Sequence, residues 1–269
     1  MAVVTISRGS FTGGKRLAEC LAERLGYRCI DRDVIVERGA VYGASQEKLR
    51  NALEKPPSFW DRFRHSKYIY LTLIQAALTE EVRAGKAVYH GNAGHLLLRG
   101  VSHVLRARII APVDLRARAI QDTLKVSRGE AFAYIARVDQ DRAKWSQYLY
   151  GVNWGDPTLY DVVLNLESMD IRDACETIVA MAGQTCFQET PQSMAAMEDL
   201  AVASKVRANL VCSPSTADLE LDVSAQGGTV AIQGKVRGAA QLNDVRTVAE
   251  KAAAGRTVDL DGLVQVPDL

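Results

Sequence analysis

Up to about residue 182, short apolar runs rich in β-branched residues alternate with longer segments whose apolar positions follow helical spacing. The strand-type runs are Val3–Ser7, Tyr27–Ile30, Ala87–His90, Ala107–Pro112 and Tyr160–Leu166. The helical segments are Lys15–Leu25, Arg32–Arg38, Tyr68–Ala84, Asp114–Leu124, Asp139–Tyr150 and Ile171–Met181. Strands that alternate with helices predict an α/β fold with a parallel sheet covered by helices on both faces. The polar stretch Asn51–Lys67, broken by a proline pair, predicts a loop or a helical excursion.

A different pattern follows Gln184–Ser193, a stretch of linker-like composition. The elements predicted beyond it are a helix at Met194–Cys212, strands at Leu219–Ala225 and Thr229–Val236 around a Gly227–Gly228 turn, a helix at Gln241–Ala254 and a strand at Val258–Val266. This order predicts a small α+β module of the type αββαβ. We therefore expect two domains, 1–185 and 204–269, joined by a linker over 186–203.

Composition narrows the function classes. The 269 residues are 48% hydrophobic and 24% charged, which is typical of a globular protein, and the net charge of +1 gives no bulk attraction to nucleic acid. The five cysteines show no CxxC spacing, so they are expected to be thiols in a reducing compartment rather than disulfides or zinc ligands. No leader-like or membrane-spanning segment is evident, and the expected location is the cytoplasm.

The strongest chemical motif joins the first strand to the first helix. The segment Gly9–Lys15 reads G-x-x-x-x-G-K, the pattern of a phosphate-binding loop. Glycines let a phosphate chain approach several backbone N–H groups, and the helix N-terminus adds its positive end. The motif predicts binding of the phosphate chain of a nucleotide, with Mg²⁺ carried by the nucleotide and no separate metal site. The predicted nucleotide-binding residues are Gly9, Ser10, Phe11, Thr12, Gly13, Gly14, Lys15 and Arg16.

One position departs from this pattern. Arg16 stands where a serine or threonine usually supplies a hydroxyl to Mg²⁺. The sequence leaves three alternatives open: Thr12 or Ser10 supplies the hydroxyl, the metal is held differently, or catalysis is weakened.

Four stretches together resemble the cytidylate kinase-like family. They are Val4–Arg8 with the glycine turn, Leu21–Tyr27 with the following Asp31, Val104–Ile120, and Asp141–Asn165 with its segment Trp154-Gly-Asp-Pro-Thr-Leu-Tyr-Asp161. The resemblance implies a P-loop kinase-type parallel sheet flanked by helices. It also implies phosphoryl transfer from ATP to a small acceptor, a nucleoside monophosphate or similar molecule, under an arginine-bearing lid.

The resemblance assigns roles to individual residues. The implied catalytic residues are Lys15, Arg128, Arg137 and Arg142. The implied acceptor-binding residues are Asp31, Asp33, Asn92, Arg116 and Asp161. Asn92 occupies the place where the family usually carries an arginine, whose charge and two-pronged geometry an asparagine lacks. His90 and His95 flank it, and we expect them to end a strand and begin a helix rather than to bind a metal.

Two departures, at Arg16 and Asn92, keep alternative functions open. One is an active kinase, the second is a catalytically degenerate regulatory protein that binds nucleotide, and the third is a scaffold with an empty site. The C-terminal residues Leu219–Val223, Gly227–Val236 and Val258–Val266 resemble the BON domain. That resemblance implies contact with a ligand, a lipid or a protein partner, although no basic amphipathic face predicts membrane binding. The sequence is compatible with a homo-oligomer.

Overall fold

The computed structural model describes residues 2–9, 12–54, 64–91 and 93–266. Its strands are β1 (Val3–Arg8), β2 (Arg28–Asp31), β3 (Ala87–His90), β4 (Val104–Ile110), β5 (Val162–Asn165), β6 (Leu221–Gln226), β7 (Thr229–Arg237) and β8 (Thr257–Val266). Its α-helices are α1 (Gly14–Leu25), α2 (Arg32–Gly39), α3 (Gln46–Glu54), α4 (Arg64–Val82), α5 (Gly94–Leu97), α6 (Val113–Leu124), α7 (Arg128–Tyr150), α8 (Ile171–Ala182), α9 (Pro191–Cys212) and α10 (Gly238–Ala252). None of these described helices is both long enough and apolar enough to cross a bilayer.

The chain divides into two compact units. The first contains residues 2–32, 54 and 85–189, and the second contains 33–53, 64–84 and 190–266. The second unit thus takes in α2, α3 and α4 as well as the C-terminal module, which the alternating pattern of the sequence does not indicate.

The first unit is built on a parallel sheet with strand order β2-β3-β1-β4-β5. Val4 and Ile6 of β1 are almost fully buried and belong to an apolar cluster with Leu17 of α1 and Ile178 of α8. Polar residues, including Thr5 and Arg108, occupy other positions of the central strands β1 and β4 and are also buried. The predicted parallel sheet with flanking helices is confirmed, and it brings the carboxyl ends of its strands to one edge, where ligands of such sheets bind.

The second unit contains the predicted αββαβ order as α9, β6, β7, α10 and β8. Strands β6 and β7 are antiparallel, and β8 runs parallel to β7. The turn between β6 and β7 has positive φ at Gly227 (59°) and Gly228 (89°), as a two-residue hairpin turn requires. Helix α9 begins at Pro191, with Thr190 and Ser193 forming a capping box, so most of the predicted linker 186–203 is helical.

The expectation that all cysteines are free thiols is wrong for one pair. Cys20 of α1 and Cys175 of α8 form a disulfide. Their separation of 155 residues hides the pairing from the sequence, because only the packing of α1 on α8 brings them together. Among the described residues, Cys29, Cys186 and Cys212 are free and exposed, and no cluster of His, Cys, Asp or Glu could hold a metal ion.

Candidate nucleotide site

The glycine turn lies at the carboxyl end of β1 and at the N-terminus of α1, as predicted. Gly13 has φ 78°, in the left-handed region that glycine tolerates, and its carbonyl accepts the amide of Leu17. Thr12 is buried, and its hydroxyl donates to the carbonyl of Gly9 at 3.1 Å. The positive end of α1 therefore faces the turn, which is the arrangement of an anion-binding site. Ser10 and Phe11 lie outside the described residues.

Arg116 of α6 stands beside the start of this turn. A Cβ atom added to Gly9 would lie 3.2 Å from Cζ of Arg116, so the glycine leaves room for the guanidinium. Asp139 of α7 fixes that guanidinium through two hydrogen bonds, at 2.7 and 2.8 Å. A two-pronged pair of this kind holds both groups in one orientation.

Arg142, one helical turn after Asp139, reaches the same place. Its Nη1 donates to the carbonyl oxygen of Arg8 at 2.6 Å. Burial lowers the pKa of Arg142 to about 10, with a further contribution from the positive charge of Arg8. The fold thus brings Arg116 and Arg142, two of the predicted site residues, to the turn.

Arg8 is a site residue that the sequence-based prediction omitted. It ends β1, and its stem lies across Gly14, so that a Cβ there would overlap Cδ and lie 2.9 Å from Nε of Arg8. Burial lowers the pKa of Arg8, as does the positive charge of Arg32. The sequence offered one signal for Arg8 as a site residue, which is its position between an apolar strand and the first glycine of the motif.

An open cleft of about 620 Å³ adjoins the turn. Its lining is contributed by the turn, by α1, by α6 and by the segment that leads into α8. The residues are Thr12, Gly13, Arg16, Cys20, Ala111, Leu115, Arg116, Leu166, Met169, Asp170, Ile171 and Arg172. Arg16 therefore faces the cleft, whereas the segment 166–172 was not predicted to take part in the site.

The other predicted catalytic residues have surface positions. Lys15 is 71% exposed, and its Nζ lies 3.8 Å from a carboxylate oxygen of Glu19 on the outside of α1. Arg128 pairs with Asp114 at 2.7 Å and is 70% exposed. Arg137 is exposed, with its guanidinium 5.5 Å from the ring of Tyr134. The charged groups of these three residues do not take part in the contacts that Arg8, Arg116 and Arg142 make at the turn. Their catalytic roles stay predictions.

The predicted acceptor-binding carboxylates are found in separate settings. Asp31 ends β2 and pairs in register with His90 of β3. Asp33 belongs to the second unit, where it pairs with Arg50 at 3.0 Å. Asn92 lies outside the described residues.

Asp161 makes a reciprocal connection with β4. Its carboxylate accepts from the backbone amide, Nε and Nη2 of Arg106, at 2.7, 3.0 and 2.6 Å. Its own amide donates to the carbonyl of Arg106 at 2.8 Å. Asp161 thus anchors the segment before β5 to the sheet, and a role in acceptor binding stays a prediction.

Trp154 and Tyr160 form a polar cluster with Arg108 of β4, in which Arg108 and Tyr160 are buried. The guanidinium of Arg108 lies 4.1 Å from the ring centroid of Trp154 and 3.1 Å from the hydroxyl of Tyr160, and it also donates to the carbonyl of Trp154. The ring of His95 packs 4.7 Å from that of Tyr160. Burial lowers the pKa of His95 to about 4, with Arg108 and Arg106 adding to the effect. As expected, His90 ends a strand and His95 lies in a short helix.

Comparisons with known proteins agree with this architecture. A cytidylate kinase from Pyrococcus horikoshii is 25% identical over 164 residues, which are 61% of this chain and 79% of that protein. A cytidylate kinase from Ignicoccus hospitalis is 26% identical over 184 residues, 67% of this chain and 99% of that protein.

A solved structure and a family model extend the comparison. The crystal structure of an uncharacterized protein from Eubacterium ventriosum has the same fold, with a TM-score of 0.53 at 18% identity, over 67% of this chain and 97% of that one. The model of the cytidylate kinase-like family matches residues 3–168, more than half of the chain. The protein, with a glycine turn bordered by arginines at the edge of a parallel sheet, therefore belongs to the cytidylate kinase-like family.

Proposed function

We propose that this protein binds ATP with Mg²⁺ at the glycine turn and transfers the terminal phosphoryl group to a small acceptor such as a nucleoside monophosphate. One observation carries the proposal. The guanidinium of Arg116 and the Arg142–Arg8 hydrogen bond border a turn that opens onto a cleft. Arg116 is paired with Asp139, whereas Arg142 donates to a neutral carbonyl oxygen. Buried positive charge of the second kind next to a helix N-terminus is costly unless an anion compensates it, and a polyphosphate is such an anion.

The cleft is suited to the nucleoside part of ATP. Its volume of about 620 Å³ lies within the range of small-molecule sites. Leu115, Leu166 and Ile171 offer apolar surface for a base, while Arg16 and Arg172 add positive charge at its border. A nucleotide placed here has its phosphates over the turn.

Magnesium fits this arrangement as an ion that the nucleotide carries. The described residues contain no group of three or more His, Cys, Asp or Glu that could hold it, and the hydroxyl of Thr12 is engaged with Gly9. Mg²⁺ commonly keeps several water ligands and binds substrate phosphates. When bound, it neutralises charge on the outer phosphates.

The side chains contribute by position and charge. Asp139 holds Arg116 in one orientation, so this guanidinium needs little rearrangement when phosphates arrive. Arg142 is tied to the backbone at the end of β1 and adds a second fixed cation. Such preorganised charge stabilises a transferring phosphoryl group without a covalent intermediate.

Calorimetric titration with ATP–Mg²⁺ and a coupled assay of ADP release over a panel of nucleoside monophosphates test the proposal. A matched pair of variants on α6 adds a structural control. Leu115→Glu places a negative charge in the cleft and is expected to weaken ATP binding at least tenfold. Val113→Glu, at a position that is 44% exposed and outside the cleft lining, is expected to bind like the wild type.

The outcomes separate the alternatives. ATP binding and turnover with at least one acceptor support a kinase. ATP binding without turnover for any acceptor contradicts the transfer step and leaves a regulatory nucleotide-binding protein. Absence of ATP binding in calorimetry, with no rise in melting temperature, contradicts both and leaves a scaffold.

We propose separately that the C-terminal module is BON-like and binds a ligand, a lipid or a protein partner. The observed αββαβ order supports this proposal, and so does the apolar packing of α9 and α10 on the sheet β6-β7-β8. Liposome flotation of the full chain tests the lipid alternative. Recovery of the protein with anionic or neutral vesicles supports it, and its absence from both vesicle fractions contradicts it.

A further inference from the structure

Arg8 has an unusual position for a charged residue. The strand β1 is otherwise apolar or hydroxylic, and Arg8 is its last residue, directly before Gly9. Its stem fills the space that a side chain at Gly14 would need, so the two ends of the turn are packed through this arginine. The side chain is therefore held at the first residue of α1, where the helix presents its positive end.

Arg8 carries its positive charge next to other cations. Among the residues that the structure describes, no carboxylate forms an ion pair with it. Burial and the positive charge of Arg32 both lower its pKa, which means that both disfavour the charged guanidinium. Arg142 adds a further cation at its carbonyl oxygen. A partly buried cation among cations calls for an anionic ligand.

Lys15, the lysine of the G-x-x-x-x-G-K pattern, contrasts with Arg8. Its side chain is 71% exposed and lies near Glu19 on the outer face of α1. Surface pairs of this kind contribute little and hold neither partner firmly. Arg8 precedes the turn and Lys15 follows it, and Arg8 is the cation that packing fixes against the turn.

We propose that Arg8 is the principal side chain that binds the phosphoryl group transferred at the glycine turn. This inference rests on the proposed function and names the residue that performs its central step. A guanidinium presents parallel N–H donors that match two phosphoryl oxygens, whereas an ammonium acts as a point charge. Arg8 ends β1, which lies between β3 and β4 in the sheet, and it is not one of the residues that line the cleft.

The step itself involves no bond to Arg8. An acceptor oxygen forms a bond to the terminal phosphorus of ATP, and the bond from that phosphorus to the bridging oxygen breaks. The electron pair of the broken bond stays with ADP. A phosphate acceptor oxygen brings no proton, and a hydroxyl acceptor releases its proton to water. Arg8 stabilises the negative charge on the equatorial oxygens during this exchange.

The test compares Arg8→Gln, Arg8→Lys and Lys15→Gln with a surface control, Arg24→Gln, which removes an exposed pair with Glu176. Calorimetry measures the affinity of each protein for ATP, ADP and adenosine, and the coupled assay measures kcat. For Arg8→Gln we expect kcat and ATP affinity to fall at least tenfold, with affinities for ADP and adenosine within threefold of the wild type. Arg8→Lys, which keeps the stem and the charge, is expected to recover part of kcat.

Several results would overturn the inference. One is a larger loss for Lys15→Gln than for Arg8→Gln, and another is an equal loss of ADP and ATP affinity in Arg8→Gln. If the wild type binds ATP and Arg8→Gln binds it equally well, the role of Arg8 is refuted and the proposed function is left intact. A wild-type protein that binds no nucleotide refutes both. If Arg8→Gln does not fold, the ratio of ATP to ADP affinity in Arg8→Lys decides, since an unchanged ratio contradicts the role.

Discussion

The side chain of Arg142 donates a 2.6 Å hydrogen bond to the carbonyl oxygen of Arg8, which lies 134 residues earlier in the chain. This bond connects the middle of the long helix α7 to the end of the central strand, directly before the glycine turn. The guanidinium of Arg142 also lies 5.8 Å from the ring centroid of Trp154. Arg142 is thus held from two sides, by a backbone oxygen and by an aromatic ring.

Replacing Arg142 by glutamine should reduce ATP affinity by roughly tenfold to a hundredfold, because the variant lacks the charged donor that we propose for the phosphates. A charge-assisted hydrogen bond of this kind contributes about 1.5–3 kcal/mol. The stability of the free protein should change much less. Loss of the bond to Arg8 is offset by removal of a partly buried cation near other cations, whose pKa is already lowered to about 10. Calorimetry and thermal unfolding measure the two effects on the same samples.

Lys144→Gln is the control for this prediction, since Lys144 is an exposed cation on the same helix. It should leave both ATP affinity and melting temperature near the wild-type values. Equal losses of ATP affinity in Arg142→Gln and Lys144→Gln would indicate a general charge effect rather than a specific contact.

Gly14→Ala should disturb the turn through Arg8. The added methyl group would overlap the stem of Arg8, and overpacking of this kind costs about 1–3 kcal/mol. In an Arg8→Ala background the same substitution should cost less, because the obstructing stem is gone. Chemical unfolding of the wild type, both single variants and the double variant gives the coupling free energy. Additive effects would show that Gly14 and Arg8 do not pack together.

Gly129→Ala provides the matched comparison. Gly129 lies in the first turn of α7, and a Cβ there would meet no atom within 4 Å. Alanine at this position should leave stability unchanged or raise it by up to about 1 kcal/mol, because glycine is the poorer helix former.

The sequence was informative wherever local pattern decides structure. The apolar run at β1, the glycine turn and the periodicity of α1 were each predicted within one residue of the observed bounds. The hairpin at Gly227–Gly228 was also predicted, because the turn type demands glycine. Local sequence pattern is therefore sufficient to predict the first strand and helix and the C-terminal hairpin.

Long-range packing could not be read in the same way. The extent of the second unit depends on α4 packing with α9, and no local signal marks that partnership. The carboxylate of Asp161 carries the chemistry of a binding residue, yet three hydrogen bonds commit it to Arg106 on the neighbouring strand. Arginines were recognised as candidate phosphate ligands, but only the fold distinguishes Arg142 at the turn from the exposed Arg137.

The buried imidazole of His95 predicts a dependence of stability on pH. Its pKa is lowered to about 4 in the folded protein, by burial first and then by Arg108 and Arg106, against about 6.5 when unfolded. The unfolded state therefore binds more protons between these values, so stability is complete above pH 6.5 and falls as the pH drops toward 4. The linked loss from pH 7 to pH 5 is about 2 kcal/mol. Chemical unfolding over this pH range measures it.

His95→Phe isolates this contribution. Phenylalanine can keep the ring contact with Tyr160 but cannot be protonated. The variant should lose less stability than the wild type over the same drop in pH, while the lowered pKa values of His90 and His103 leave a residual dependence of the same sign. Identical pH profiles for the two proteins would assign the dependence to other groups.

The disulfide between Cys20 and Cys175 should stabilise the first unit under oxidising conditions. It joins α1 to α8 across 155 residues, and native disulfides typically contribute about 2–4 kcal/mol. Each kcal/mol corresponds to about 2–4 °C in a domain of this size, so a dithiol reductant should lower the melting temperature by roughly 5–15 °C. Reduction transfers two electrons and two protons from the dithiol to the disulfide, which leaves two free thiols.

Cys20→Ser/Cys175→Ser should melt like the reduced wild type and should not respond to the reductant. Cys186→Ser, at a free and exposed cysteine, should keep the full response. A wild-type melting temperature that the reductant does not change, together with alkylation of both Cys20 and Cys175 in the untreated protein, would contradict the assignment.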